Sequence, residues 1–226
     1  MRDGSGEDDD DKMSAILEAD RINKIGRINK RILSDVSFSV NEEESIMITG
    51  PEGSGKTTLS RIISGLDSEY EGKIFFRGND IDPKGTGFPV GYISGTPELI
   101  SGISLLENAM IPLISLKKIK NYHEAHEMAY EIFKLIDIES AADMFPEVCS
   151  DYYKVAAAMA GICLSNPDMI VFDDPDVRLD KGEFEKLWRS FGKIYTGPFI
   201  VMTGNENLPV NGLSGVYRLD KGELYK

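Results

Sequence analysis

Apolar residues come in short runs at the front of the chain and at helical spacing further on. Residues 16–22, 36–40 and 45–49 are β-rich, and Gly72-Lys73-Ile74-Phe75-Phe76 is a further strand candidate closed by the turn signal Arg77-Gly78-Asn79-Asp80. Residues 90–94 add another short strand. The period then changes. Ala125, Met128, Ala129, Ile132 and Leu135/Ile136 recur at helical spacing, which predicts an amphipathic helix over 122–136. Residues 155–164 are almost wholly apolar, so the helix expected there should be buried. Met169-Ile170-Val171-Phe172 reads as a fully buried parallel strand. Residues 184–194 look helical, 199–203 form a strand, and 216–219 form a last strand before the turn Asp220-Lys221-Gly222-Glu223. Strands alternating with helices predict an α/β sandwich with a parallel central sheet.

One of these strands leads into Gly50-Pro51-Glu52-Gly53-Ser54-Gly55-Lys56-Thr57, followed by Thr58 and a helix-compatible run. This is the pattern G-x-x-x-x-G-K-[ST]. Its glycines let the backbone curl so that several N–H groups point inward at a phosphate. The helix that follows adds the positive end of its dipole. Lys56 is expected to reach the β- and γ-phosphates, and the Thr57 hydroxyl to ligate Mg²⁺. Over a hundred residues later the apolar run 169–172 ends in Asp173-Asp174-Pro175. An acidic residue at the tip of a buried strand beside such a loop can orient Mg²⁺, usually through water. The plainer alternative is an acidic turn at a strand end.

Composition narrows the setting. The chain has 226 residues and a net charge of −13. Asp8-Asp9-Asp10-Asp11-Lys12 resembles an enteropeptidase cleavage tag, so residues 1–12 are read as an appended segment and 13–226 as one domain beginning at Met13. Taking away the segment's two basic and six acidic residues leaves −9, which argues against duplex nucleic acid as the main partner. No run of 18 or more apolar residues exists to span a membrane, and no secretory signal follows Met13. The two cysteines, Cys149 and Cys163, fit a reduced cytosolic protein and are too few for a metal site.

Several stretches share a wider pattern: Ile32-Leu33-Ser34-Asp35-Val36-Ser37-Phe38-Ser39-Val40 before the phosphate loop, Ile63-Ser64-Gly65-Leu66 with Glu71-Gly72-Lys73-Ile74 and Gly78-Asn79-Asp80-Ile81 after it, Leu105-Leu106-Glu107-Asn108-Ala109-Met110-Ile111-Pro112-Leu113, and Asn166-Pro167-Asp168. In this order they resemble the nucleotide-binding domain of ABC (ATP-binding cassette) ATPases over essentially all of 16–226. The 105–113 stretch is similar to the cell-division and lipoprotein-release branch. The resemblance implies an α/β P-loop NTPase fold: a RecA-like core with a parallel central sheet, an antiparallel β portion, and a helical lobe over about 96–164. It implies ATP and Mg²⁺ as ligands, with Lys56 and Asp174 catalytic and Thr57 and Asp173 on the metal. It also implies a head-to-tail homo- or heterodimer of cassettes, and a polytopic membrane subunit docked near 95–114. The location implied is the cytoplasmic face of a membrane.

The chain departs from that pattern at specific places. Cys149-Ser150-Asp151-Tyr152-Tyr153 stands where the family has LSGGQ, so Asp and Tyr replace the two glycines that approach the γ-phosphate. A carboxylate facing a polyphosphate costs about 1–4 kcal/mol near a surface. Gly95 falls at the Q-loop glutamine, Gly204 at the switch histidine, and Ile25 at the aromatic that stacks on adenine. Asp174 is one methylene shorter than the family's glutamate, and Asp180 stands at the D-loop aspartate. The half that holds triphosphate is therefore intact and the half that completes hydrolysis is altered. ATP binding with slow or partner-dependent turnover is expected, driving movement of membrane subunits. The competing readings are a nucleotide-dependent regulatory or scaffold protein of a membrane complex, and a P-loop phosphotransferase. Two smaller features stay open. His123 and His126 on one helix suit a solvated face better than zinc, and Lys117-Lys118-Ile119-Lys120 suits a solvated loop better than anionic lipid.

Overall fold

The computed structural model describes residues 15–26, 29–81, 89–116 and 121–226. Residues 1–12, read above as an appended segment, and the basic run 117–120 lie outside the described residues.

Among the described residues the strands form two sheets. The first is antiparallel: β1 (Ala15–Ile25) pairs with β2 (Arg31–Asn41) on one side and with β4 (Glu71–Phe76) on the other, and β5 (Asn79–Asp80) closes the edge beside β4. In β2 the alternation of Leu33, Val36, Phe38 and Val40 inward with polar residues outward gives one buried face. Both strands outrun the apolar runs at 16–22 and 36–40, because their polar ends continue the ladder from Lys24 to Leu33 and from Ile25 to Arg31.

The second sheet has the order β10-β9-β3-β8-β7-β6. Its members are β3 (Ile46–Thr49), β6 (Val90–Ser94), β7 (Met169–Asp173), β8 (Phe199–Thr203), β9 (Gly215–Asp220) and β10 (Glu223–Tyr225). From β9 to β6 every pairing is parallel; β10 turns back antiparallel at the edge. All residues of β3 and β7 are buried, as expected of strands covered on both faces. The C-terminal ends of these parallel strands share one rim, where ligands of open α/β sheets bind.

Among the described residues five α-helices complete the fold: α1 (Lys56–Ile63), α2 (Leu105–Ser115), α3 (Tyr122–Leu135), α4 (Asp151–Leu164) and α5 (Lys181–Ile194). The apolar residues form two buried clusters. One, holding Leu59, Ile62 and Ile63 of α1, lies between the antiparallel sheet and the parallel one; the other unites α2 to α5 with the opposite face of the parallel sheet. Helices α2 and α4 meet backbone to backbone: a Cβ on Gly161 would lie 2.7 Å from the Ala109 carbonyl oxygen. That close approach explains a glycine inside a helix, where it costs about 1 kcal/mol relative to alanine.

The expected helix over 122–136 is present but turned. Ala125, Ala129 and Phe133, with Ile136 just beyond, are buried, whereas Met128 and Leu135 are exposed and Ile132 is half-buried. Helix α2 carries a signal that composition hides: Ser104 and Glu107 cap each other's backbone amides, the S-x-x-E capping box.

Candidate functional site

The phosphate loop starts where β3 ends. At Gly50 a Cβ would sit 2.1 Å from the Leu219 carbonyl oxygen, so only glycine passes between β3 and β9. Gly53 and Gly55 both lie in the left-handed region (φ 75° and 110°), which curls the loop into the N-terminus of α1. Among the described residues no side chain caps that helix, and its first turn holds no acidic residue, so its amides remain for an anion. Lys56 is 6% exposed, and its Nζ donates to the carbonyls of Gly50 at 2.9 Å and Pro51 at 3.2 Å. The Ser54 hydroxyl is buried in the loop with no partner among the described residues.

A cleft of about 670 Å³ opens over this loop. Glu52, Gly53, Gly55, Lys56, Thr57, Thr58 and Asp174 line it, together with Lys30, Arg31, Ile32 and Lys221. Gly50 and Ser54 are buried parts of the loop and are not among the residues that line the cleft. Four cations around one cleft contrast with the net −13 of the whole chain and favour an anionic ligand there.

Asp173 ends β7 and is 5% exposed. The Thr57 hydroxyl donates to its Oδ1 at 3.2 Å, across 116 residues of sequence, and the Tyr92 hydroxyl donates to its Oδ2 at 2.8 Å. Burial, with the Asp173 charge beside it, raises the Tyr92 pKa above the ordinary tyrosine value. Asp174 is half-buried in the left-handed region (φ 45°), and its Oδ1 accepts the Gly204 amide at 3.2 Å. Burial pushes its carboxyl above the usual aspartate value; Asp173 and Asp176 add to that, while Lys56 and the Gly204 amide oppose it.

These residues fit Mg²⁺-nucleotide chemistry. A hydroxyl and a carboxylate are hard oxygen donors, and Mg²⁺ takes one or two such groups beside phosphate oxygens and water. Among the described residues no cluster of three or more His, Cys, Asp or Glu side chains could form a cage for a metal. The orphaned Ser54 hydroxyl and the uncapped helix start are polar groups that a phosphate satisfies.

The altered positions each have a physical setting. Ile25 is 58% exposed and lines a neighbouring hollow with Asn23 and Tyr70, not the phosphate cleft; Arg31 and Ile32 stand in the cleft instead. Gly95 is buried against the Asp174 backbone and donates to the Asp173 carbonyl at 3.0 Å. Ser150 is the exposed N-cap of α4, and Asp151 pairs with Lys154 at 3.5 Å in its first turn. Tyr152 points inward: its ring is buried, with the Lys186 ammonium 4.9 Å from the centroid, so its bulk is largely withdrawn from the surface. Asp180 serves α5 as N-cap in a capping box with Glu183. His123 pairs with Glu127 on an exposed helix face.

Some residues at the site escaped sequence reasoning. Tyr92 is one. Another set is a latch across two loops. The Thr203 hydroxyl donates to Asp176 Oδ1 at 3.0 Å, Asn205 Nδ2 donates to Asp176 Oδ2 at 3.2 Å, and the Asn205 amide donates back to the Thr203 hydroxyl at 3.0 Å. No local spacing links these positions. The signal for Lys30, Arg31 and Lys221 was simply basic charge in an acidic chain.

Comparison with known proteins follows the same line. Residues 33–177 match the family model described as ABC transporter. The lipoprotein-releasing system ATP-binding protein LolD of Francisella tularensis is 30% identical over 203 residues, spanning 85% of this chain and 87% of that protein. The protein of the same name from Wigglesworthia glossinidia brevipalpis is 28% identical over 228 residues, spanning 93% and 96%. Among solved structures, the ADP conformation of MJ1267, an ATP-binding cassette of an ABC transporter, superposes with a TM-score of 0.78 at 25% identity, covering 93% of this chain and 89% of that one. The dimeric post-hydrolysis cassette MJ0796 bound to ADP and Pi shares the fold, with a TM-score of 0.81 at 24% identity and coverage of 93% and 97%.

Proposed function

The chain belongs to the ABC transporter family of ATP-binding cassettes, and on that premise we propose that it is the ATP-binding subunit of a transporter, gripping Mg²⁺-ATP at the phosphate loop and hydrolysing it slowly. The contact between Thr57 and Asp173 carries this reading, because it joins the start of α1 to the tip of β7 at one point of the cleft rim.

In this reading the amides of residues 53–58 and the Lys56 ammonium hold the phosphates. Gly50 lets the loop pass β9, Ser54 offers its hydroxyl, and Glu52 and Thr58 border the cleft. Thr57 and Asp173 face the metal, which, when bound, offsets phosphate charge. Asp174 accepts a proton from the attacking water. Its raised pKa suits a base, but its short side chain and its bond to the Gly204 amide hold the carboxylate back. Loss of a well-placed general base typically removes 10²–10⁴-fold in rate. Slow turnover follows, with part of the deficit made up when a partner cassette brings an intact signature motif to Lys56. Ile25 borders the adjoining hollow, which shares Arg31 with the cleft, and offers the base an aliphatic surface where the family has an aromatic one.

The partners this reading requires are a second cassette, head to tail, and a polytopic membrane subunit at the cytoplasmic face of a membrane. No described helix is long and apolar enough to cross a membrane. The test is calorimetric titration with Mg²⁺-ATP of the purified chain and of Lys56→Ala. Binding that the substitution weakens at least tenfold supports the reading. A flat titration at millimolar ligand, or an unchanged affinity in the variant, refutes it.

A further inference from the structure

Tyr92 stands on β6 opposite Val171 of β7, and Asp173 is two residues beyond Val171. Paired residues and those two apart point to the same face of a sheet, so the tyrosine ring and the Asp173 carboxylate project together toward α1. A diagonal neighbour on an adjacent strand is within reach of an aromatic side chain. The Tyr92 hydroxyl covers that span and bonds Asp173 Oδ2 at 2.8 Å. With Thr57 on Oδ1 at 3.2 Å, the carboxylate is held from both sides and cannot turn freely.

The ring itself is half-buried and lines a groove of about 510 Å³ with Arg61, Thr96, Pro97, Ile111 and Pro112. One side chain therefore spans from this groove to the metal-facing carboxylate. The position from which a glutamine would reach the metal is Gly95, which offers no side chain, and a Cβ there would stand 1.9 Å from the Asp174 carbonyl oxygen.

From this geometry we infer that Tyr92 is a positioning residue for the divalent cation: its hydroxyl fixes Asp173 so that Oδ1 and the Thr57 hydroxyl together face the metal. The inference rests on the nucleotide-binding reading above. Outer-shell partners of metal-facing groups typically account for 10–100-fold in metal affinity. The lower end applies to Tyr92, because Thr57 still holds the other oxygen. Among the described residues Tyr92 does not line the phosphate cleft, and the bonds of Lys56 go to Gly50 and Pro51.

The experiment is Tyr92→Phe in the full chain, which keeps the ring and removes the hydroxyl. A fluorescent ATP analogue is titrated in EDTA, and then Mg²⁺ is titrated at fixed nucleotide. The expected result is wild-type affinity in EDTA with the half-saturating Mg²⁺ concentration raised about tenfold. Manganese EPR gives the same comparison with the metal as its own probe. In an Asp173→Asn background the hydroxyl deletion should add nothing, since the effect runs through that carboxylate. Tyr195→Phe, a loss of hydroxyl at a distant bond to the Pro198 carbonyl, serves as control and leaves both titrations unchanged. An unchanged Mg²⁺ requirement in Tyr92→Phe overturns the inference. So does an equal loss of affinity in EDTA, which marks a purely structural role. A wild-type chain that binds no nucleotide in either condition overturns the reading beneath it instead.

Discussion

Restoring a side chain at residue 95 should damage the protein. Gly95 follows β6 in a buried position, and its amide donates to the Asp173 carbonyl at 3.0 Å. A Cβ there would lie 1.9 Å from the Asp174 carbonyl oxygen, 1.5 Å short of ordinary contact at 3.4 Å. It would also lie 2.9 Å from the Asp174 carbonyl carbon and 3.0 Å from Val177 Cγ1. The obstacle is mainly backbone, so no rotamer relieves it. Nor can that backbone yield freely: the Asp174 amide donates to Met202 at 2.7 Å, and its carbonyl accepts from Val177 at 3.2 Å. Overpacking costs about 1–3 kcal/mol, and loss of the turn hydrogen bond about 1 kcal/mol more. Gly95→Ala should therefore lose about 2–4 kcal/mol. At roughly 2–4 °C per kcal/mol for a domain of this size, Tm falls by about 4–16 °C. Gly95→Gln should fall as far, because the clash is at Cβ, and should not raise ATP turnover, because Asp174 is displaced. Thermal unfolding monitored by circular dichroism, with turnover measured on the same samples, checks both. Wild-type Tm in the alanine variant, or faster turnover in the glutamine variant, would show that the backbone has room that this argument denies.

Two further outcomes follow from the rim of the cleft. Because burial holds the folded-state pKa of Asp174 above the ordinary 3.8, the folded chain binds that proton more tightly than the unfolded chain, and the associated stability is complete below 3.8 and lost as pH rises through the raised value. Asp174→Asn should thus be more stable than wild type at neutral pH in urea titrations, with a margin that narrows on acidification; a margin independent of pH contradicts the argument. Thr203→Val keeps the shape of a fully buried side chain but removes both latch bonds at Asp176 and Asn205, so urea unfolding should show a loss of about 1–3 kcal/mol, and no loss would mean that the latch is idle.

What could be read from the sequence had a local cause. The phosphate loop is legible because its chemistry requires glycine, lysine and threonine at fixed offsets along one turn. Asp173 is legible because a carboxylate after four buried residues is costly without a use. The parallel sheet followed from alternation of strand and helix. The features that spacing did not show depend on contacts that it cannot carry. Helix α3 has apolar side chains on either side of its buried stripe, so the true midline at Phe133 and the rejected one at Met128 and Leu135 look alike in one dimension. Ile25 follows several register shifts in β1, where it pairs with β2. Each bulge resets which face a side chain takes, so which hollow Ile25 borders could not be counted from the phosphate loop. Tyr92 and the Thr203–Asp176–Asn205 latch join residues 81, 27 and 29 positions apart, and only the folded sheet brings them together.

The bare contact of Gly161 with Ala109 has a mechanical meaning. At that one crossing no side chain stands between the two helices, so a side chain's rotamer freedom cannot soften the joint there. The far end of one helix, at Ile111 and Pro112, borders the groove; the near end of the other begins at Ser150. Pro112 interrupts the hydrogen-bond ladder of α2 beside the groove, so whatever stiffness the contact lends begins on the α4 side of that break, at Ala109 and Gly161.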